Sequence, residues 1–390
     1  YSFIRNMRKL KMGMVGGGKN AFIGAVHRIA ANMDGFIELH CGAFSSNPKT
    51  SIESGKELYL PQHKCYESYQ QMFETEANLS INERMDFVSI VTPNFAHFAP
   101  AMMALEHGFH VVLDKPMTLT LAEAKLLQQK VKETGLYLCL THTYSGYPMV
   151  KQAKSMIAEN QLGKIRKIMV EYPQGWLSTN LENDGNQQAS WRTDPSKSGI
   201  SGCMGDIGTH AAHLAEYISG LKIIKLCADI NTVVANRKLD DDGNVLLKFD
   251  SGANGILVAS QIAAGEENSL KIKIYGEKGG LEWHQMEPNT LIIKWLDKPA
   301  QLYRTGNGYL SSIATFNTRV PSGHPEGYLE AFANIYKNFA LTLQSKLSGK
   351  EPTSFMLDFP TVDDGVRGMA FIENVIASGN STQKWTEFKN

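Results

Sequence analysis

The chain has 390 residues, 43% of them hydrophobic, and its 39 acidic side chains balance 39 basic ones. That length exceeds one ordinary core and predicts two folded domains. The cancelled charge gives no electrostatic reason to expect nucleic acid or an anionic membrane as partner, so a small molecule is the more natural ligand.

Five cysteines, Cys41, Cys65, Cys139, Cys203 and Cys227, are scattered and contain no C-x-x-C pair. Neither a disulfide framework nor a zinc site is suggested, and a reducing cytoplasm fits best. No run of about 18 apolar residues occurs. The start, YSFIRNMRKL, lacks the apolar stretch of a signal peptide, although with Tyr in first place a removed export signal stays open.

In chain order, the first third alternates short apolar runs with longer amphipathic stretches, the pattern of βαβ units on a parallel sheet. Strands are expected at Lys11–Val15, Ile37–Phe44, Phe87–Val91, His110–Leu113 and Tyr137–Leu140. The helical stretches AHFAPAMMALEHG and TLAEAKLLQQKVKETG end on Gly108 and Gly135, where a left-handed closing residue is expected.

Where the first strand meets its helix the sequence reads KMGMVGGGKNAFIG. Gly16-x-Gly18-x-x-Ala21 matches the dinucleotide fingerprint in its G-x-G-x-x-A form. There the first glycine permits a tight turn, the second admits a pyrophosphate to the backbone, and the small third residue packs helix on strand. The helix N-terminus adds unpaired N–H groups and partial positive charge. The acidic residue that commonly grips the adenosine ribose is missing at the end of the second strand, GAFSSNPKT, where Ser45 and Ser46 stand with Lys49 nearby. This leaves NAD and NADP both open.

Two later strands end in proline-containing turns, Thr92-Pro93-Asn94 and Asp114-Lys115-Pro116, at the edge where ligands of open α/β sheets bind. The glycine turn, TPNFAHF and DKP, in that order and spacing, resemble the glucose–fructose oxidoreductase / inositol dehydrogenase family, Gfo/Idh/MocA. Its usual third tripeptide is E-K-P, from which Asp114 departs while the lysine stays. The resemblance implies a Rossmann-type α/β nucleotide-binding domain over 1–145. It also implies an α+β domain over 146–390 with a large, mostly antiparallel open sheet used for substrate binding and for a homodimer or homotetramer. The nucleotide is expected on Gly16, Gly18, Ala21, Phe22, Ile23, Ser45, Ser46, Thr92, Pro93, Asn94, His97, Asp114 and Lys115.

Beyond about residue 146, GYPMVKQAKSMIAENQLG reads as a linking helix. The stretches KIRKIMVEYP, KIIKLCADINTVV, NVLLKFD, NGILVASQIA, SLKIKIYGEKGGLEW and TLIIKWL then alternate apolar with polar residues between Gly and Asp-Gly turns, as antiparallel strands with one covered face do.

The densest chemistry lies in SGISGCMGDIGTHAAHLAEYISG. If a helix begins near Asp206, then Asp206 and His210 are i, i+4 neighbours and His213 follows one turn later, behind a close-approach loop of Gly199, Gly202, Gly205 and Gly208. A metal reading of Asp206, His210 and His213 lacks an H-E-x-x-H pattern or thiolate pair, and no metal is expected. A structural reading has Asp206 capping the helix and His210 satisfied in the core. The third reading is acid–base work. Oxidising a secondary alcohol removes a hydride from carbon and a proton from oxygen, and imidazole is well matched to accept that proton near neutrality. Lys115 would stabilise the forming alkoxide, and Asp206 would orient the imidazole or hold the lysine. In the family, a catalytic lysine and a D-x-x-x-H pair match Lys115, Asp206 and His210.

Polar and aromatic residues suited to a sugar ring gather at His142, Tyr144, Tyr147, Trp176, Trp191, Arg192, Asp194 and His324. His324 is expected just before a helix starting around Pro325, on which Tyr328, Phe332 and Tyr336 fall at core spacing. The function expected is an NAD(P)-dependent dehydrogenase acting on a secondary alcohol of a sugar, glycoside or cyclic polyol, favoured at carbon 3 of a glucoside. Alternatives are an inositol dehydrogenase, a redox-cycling lyase or glycosidase with tightly held NAD, and a ligand sensor on the same scaffold.

Overall fold

The first third of the chain forms a five-stranded parallel sheet: β1 (Leu10–Gly16), β2 (Ile37–Ala43), β3 (Phe87–Val91), β4 (His110–Leu113) and β5 (Leu138–Leu140), in the order β2-β1-β3-β4-β5. The structure is a computed structural model, and it describes residues 8–19 and 21–390. Residues 1–7, part of the stretch inspected for a signal peptide, and Asn20, inside the glycine fingerprint, lie outside them.

Around the sheet run α1 (Phe22–Asn32), α2 (Pro48–Glu57), α3 (Tyr69–Ala77), α4 (Phe98–Glu106) and α5 (Leu121–Thr134). Every residue of β3 is buried, as a central parallel strand covered on both faces requires. Gly108 and Gly135 have φ of 80° and 68°, the left-handed closures expected after α4 and α5. The chain leaves β1 for β2 on one side and returns to β3 on the other, so the ends of β1 and β3 border the switch point where such sheets take ligands.

The rest of the chain begins with α6 (Pro148–Ala158), β6 (Ile165–Pro173), α7 (Gln187–Arg192), α8 (Pro195–Ser198) and α9 (Thr209–Ser219). There follow β7 (Ile223–Asn231), β8 (Asp242–Phe249), β9 (Asn254–Ser260), β10 (Lys271–Gly276), β11 (Gly279–His284), β12 (Thr290–Trp295) and β13 (Gln301–Arg304). Last come α10 (Ser312–Phe316), α11 (Tyr328–Leu347), α12 (Val362–Gly379) and β14 (Thr386–Glu387).

β6 to β14 form one sheet of order β13-β12-β11-β10-β6-β9-β8-β7-β14. Its neighbours are antiparallel except β6 and β9, which pair in parallel. On β8, Val245, Leu247 and Phe249 are buried while Leu246 between them is 43% exposed, so the alternation in the sequence is a one-face burial pattern.

The chain divides into two compact units. The first takes residues through Thr118, Ala122–Thr143 and Leu329–Gly365. The second takes Leu119–Leu121, Tyr144–Tyr328 and Val366–Asn390. Phe332 and Tyr336 are buried in the first unit, on a helix that starts at Tyr328 rather than around Pro325. Among the described residues no helix is long and apolar enough to cross a membrane.

Candidate active site

In the first unit the site is built from backbone. Gly16 and Gly17 have φ of 81° and 69°, a region costly for residues with a Cβ. A Cβ on Gly24, in the first turn of α1, would lie 2.4 Å from the Gly17 Cα. The close packing of helix on turn is therefore made by Gly17 and Gly24, and not by Ala21 as the fingerprint suggests; Ala21 sits just before α1 in an extended conformation. Gly18 is needed for another close approach: a Cβ there would meet Ser54 Oγ at 2.7 Å and the Phe44 carbonyl at 2.8 Å.

Among the described residues no side chain caps α1, and no acidic residue occupies its first turn. Its N–H groups and partial positive charge suit a phosphate, so the turn fits the pyrophosphate of a dinucleotide. Phe22 is 71% exposed beside it. Ile23 is half-buried.

At the end of β2, Ser45 Oγ accepts the Asn47 N–H at 3.1 Å, and Asn47 in turn caps α2. Ser46 is exposed, and Lys49 lies 3.9 Å from Glu53 on its own helix.

The two proline turns are tied together by a buried histidine. One His97 ring nitrogen lies 2.9 Å from the Pro116 carbonyl and the other 2.8 Å from the Thr92 carbonyl. Burial lowers the pKa of this ring, against the pull of Asp114 and the carbonyls. Asn94 is buried in the short turn after Pro93, and Thr92 donates its hydroxyl to the Ala96 carbonyl. Lys115 precedes a cis proline, and its N–H donates to Asp114 Oδ1. Burial opposes ionisation of Asp114, but the facing His27, Lys115 and His97 hold its carboxyl well below the usual range.

In the second unit the site is built from side chains. The chain enters α9 through a wide, π-type turn at Met204–Gly208. Its cap is Asp240, not Asp206: the Asp240 carboxylate accepts the N–H groups of Gly202 and Met204 at 2.8 and 2.7 Å. A Cβ on Gly202 would lie 2.4 Å from the Asp240 carbonyl, which explains the glycine there. Asp206 is thereby spared capping. Its Oδ2 accepts from Gln261 at 2.9 Å and lies 3.3 Å from Arg192 Nε.

His210, 8% exposed, meets the edge of Tyr144 with ring centroids 4.8 Å apart. Beneath it the hydroxyls of Tyr144 and Tyr172 touch, Tyr172 donates to Asn268 Oδ1 at 2.6 Å, and Asn268 donates back to Tyr144 at 3.1 Å. Burial pushes both tyrosine hydroxyls up in pKa. Gln174 donates to the same Asn268 oxygen and accepts from Trp176 Nε1 at 3.0 Å. A closed network of this kind fixes ring orientation.

The remaining candidates fall into different surroundings. The Arg192 guanidinium lies over the Trp191 ring at 4.2 Å and over Trp176 at 5.8 Å, which gathers these three near Asp206. Asp194 caps α8 by accepting the Ser196 N–H. Tyr147 is buried against Trp283, and His142 is buried after β5. His324 is exposed, with Nδ1 3.2 Å from the Pro321 carbonyl. His213 stacks on Tyr217.

Sequence reasoning missed Gln261, Asn268, Tyr172 and Asp240, all distant in sequence from the residues they hold. For Gly24 a signal was available, in its seven-residue spacing from Gly17 on the fingerprint helix.

A glycine turn at the switch point of a parallel sheet, leading into a helix N-terminus, is the arrangement that takes a dinucleotide. Residues 10–142 match the oxidoreductase family with an NAD-binding Rossmann fold, and residues 150–282 match the GFO/IDH/MocA C-terminal domain. The chain belongs to the Gfo/Idh/MocA oxidoreductases and binds NAD. It is 33% identical over 385 residues to the uncharacterized oxidoreductase YfiI of Bacillus subtilis (strain 168), covering 98% of each chain. An inositol dehydrogenase homolog from Azotobacter vinelandii, crystallised with NAD+, superposes with a TM-score of 0.93 at 33% identity over 98% of each chain. An inositol dehydrogenase homolog from Azotobacter vinelandii complexed with NADH and myo-inositol superposes with a TM-score of 0.90 at 32% identity over 98% of each chain. Levoglucosan dehydrogenase of Pseudarthrobacter phenanthrenivorans is 26% identical over 324 residues, 75% of this chain and 78% of that protein.

Proposed function

We propose that the protein oxidises a secondary alcohol on the ring of a cyclic polyol, sugar or glycoside, with Lys115, Asp206 and His210 as its catalytic residues. Bound NAD supplies the hydride acceptor. The observation that carries the reading is the setting of Asp206 and His210. Asp206 is relieved of capping and held by Gln261 and Arg192, and His210 is oriented by the Tyr144 ring. Such positioning is what a proton-accepting imidazole needs.

In this reading His210 takes the hydroxyl proton, and the Lys115 ammonium stabilises negative charge as it forms on that oxygen. Asp206 keeps the imidazole in position. Trp176, Trp191 and Arg192 supply faces and donors for a ring bearing hydroxyls. NAD is favoured over NADP, since Ser45 is engaged with Asn47 and Lys49 lies near Glu53 rather than standing as a dedicated 2′-phosphate partner.

The exposed apolar residues Met169, Leu246 and Tyr275 on the large sheet support assembly into a dimer or tetramer through that sheet. Oxidation at carbon 3 of a glucoside and oxidation of an inositol are the two forms of the reaction to try first. The test is a panel of inositols and glucosides with NAD and NADP, read by absorbance of the reduced nicotinamide and by locating the new carbonyl. Accumulation with a ring polyol or glycoside supports the reading. Conversion of a glycoside without accumulation of reduced cofactor replaces it with redox cycling, and no turnover of any ring alcohol overturns it.

A further inference from the structure

Beside the Lys115 turn lies a row of polar groups, from the half-buried Asp114 to residues wholly buried, that the roles above do not use. Asp114 Oδ1 accepts the Lys115 N–H at 2.9 Å and the Thr141 hydroxyl at 2.7 Å. Its other oxygen, Oδ2, faces His27 Nε2 at 3.9 Å. His27 is wholly buried on α1. Its Nδ1 lies 2.7 Å from the Tyr336 hydroxyl, which is 2.7 Å from Ser89 Oγ on β3. Phe332 packs edge-on against the imidazole at 4.7 Å between centroids.

The orientation of this ring is over-determined on one side and open on the other. Tyr336 and Ser89 engage Nδ1, and Phe332 fills the edge. Nε2 is buried with no hydrogen-bond partner among the described residues, and faces the carboxylate at 3.9 Å. Packing alone would be served by an apolar side chain, because an unsatisfied buried nitrogen is destabilising. What an imidazole adds here is a polar edge directed at Asp114, the residue whose carboxylate fixes the Lys115 backbone.

We infer that His27 is a positioning residue which, acting through Asp114, holds the Lys115 turn in its working conformation. The inference rests on the role proposed for Lys115. It adds that α1 serves twice, offering its N-terminus to the nucleotide phosphates and, little more than a turn later, bracing the lysine.

Asparagine and glutamine separate the two edges of the ring. An Asn amide reaches about as far as Nδ1 and a Gln amide about as far as Nε2, so His27→Asn retains the Tyr336 contact and His27→Gln retains the one to Asp114. The expected result is a kcat about tenfold lower in His27→Asn and within about threefold of wild type in His27→Gln, with KM and NAD affinity within about twofold in both. A structural role through Tyr336 gives the reverse order, with kcat following the thermal midpoint. That order, or equal kcat in the two variants, overturns the inference.

Should either variant fail to fold, Asp114→Asn, which keeps an acceptor for the Lys115 N–H, is expected to show a loss of kcat of about the same tenfold order. Wild-type kcat in Asp114→Asn overturns the inference as well. Lys115→Ala distinguishes the two levels. If it turns over like wild type, the role of Lys115 falls and takes this inference with it. If it is slow while His27→Asn is fast, only this inference falls. In the Lys115→Ala background, His27→Asn is expected to add less than about twofold, since both act through one group.

Discussion

The glycine turn of the first unit and the polar floor around Asp206 in the second are both prepared sites, made by opposite means. The turn owes its shape to backbone: positive φ at Gly16 and Gly17, and a helix that approaches closely only because Gly24 has no side chain. The floor owes its shape to side chains drawn from separate elements, with Tyr144, Tyr172 and Asn268 under His210 and with Arg192 and Gln261 on Asp206. A site made of backbone needs missing side chains at short fixed intervals. A site made of side chains needs partners far apart in sequence, and single substitutions there are expected to leave the fold intact.

The comparison breaks first at Gly24. A Cβ there would stand 2.4 Å from Gly17, so Gly24→Val is expected to abolish measurable NAD binding by titration calorimetry and to lower the thermal midpoint, as overpacking by about 1–3 kcal/mol does. Gly18→Leu is expected to lose NAD binding as well, and either variant binding like wild type would contradict the turn geometry.

On the side-chain side the fold should survive. Lys115→Ala and His210→Ala are each expected to lower kcat by about 10²-fold or more, with NAD affinity and thermal midpoint close to wild type. Asp206→Asn keeps the shape but weakens the pairing with Arg192, and a loss of about tenfold is expected, checked by steady-state kinetics. Tyr144→Phe removes one hydroxyl from the closed network and is expected to cost about threefold in kcat.

The smallest expected effect sharpens the contrast without touching turnover. Burial, against the pull of Asp86, depresses His110 on β4 from 6.5 to about 4, and its Nδ1 accepts the Tyr137 N–H as a neutral ring must. The unfolded chain then binds more protons than the folded one between those values. Stability is complete above pH 6.5 and falls as pH drops toward 4. Thermal midpoints across that window should decline with acid, and replacing His110 by Gln should flatten the decline.

What was legible in the sequence follows the same division. The parallel strands appeared within a residue or so of their places because each is a short apolar run bounded by turn residues, and Gly108 and Gly135 closed their helices as read. The roles of Gly17 and Gly24 were masked by the standard fingerprint, which assigns close packing to position 21. In the second unit the alternating strands were legible, but not the parallel pairing of β6 with β9, which depends on how the chain crosses between them. Capping by Asp206 was one of the readings open in the sequence, because it begins an apolar helical run; only the fold brings Asp240 to that place.

Chemical rescue tests most directly whether His210 is the proton acceptor. In His210→Ala with NAD and the best ring alcohol of the panel, added imidazole is expected to restore turnover in a saturable way, by about tenfold or more, and to leave Lys115→Ala unchanged. Wild-type turnover in His210→Ala without imidazole, or equal stimulation of both variants, would contradict the account.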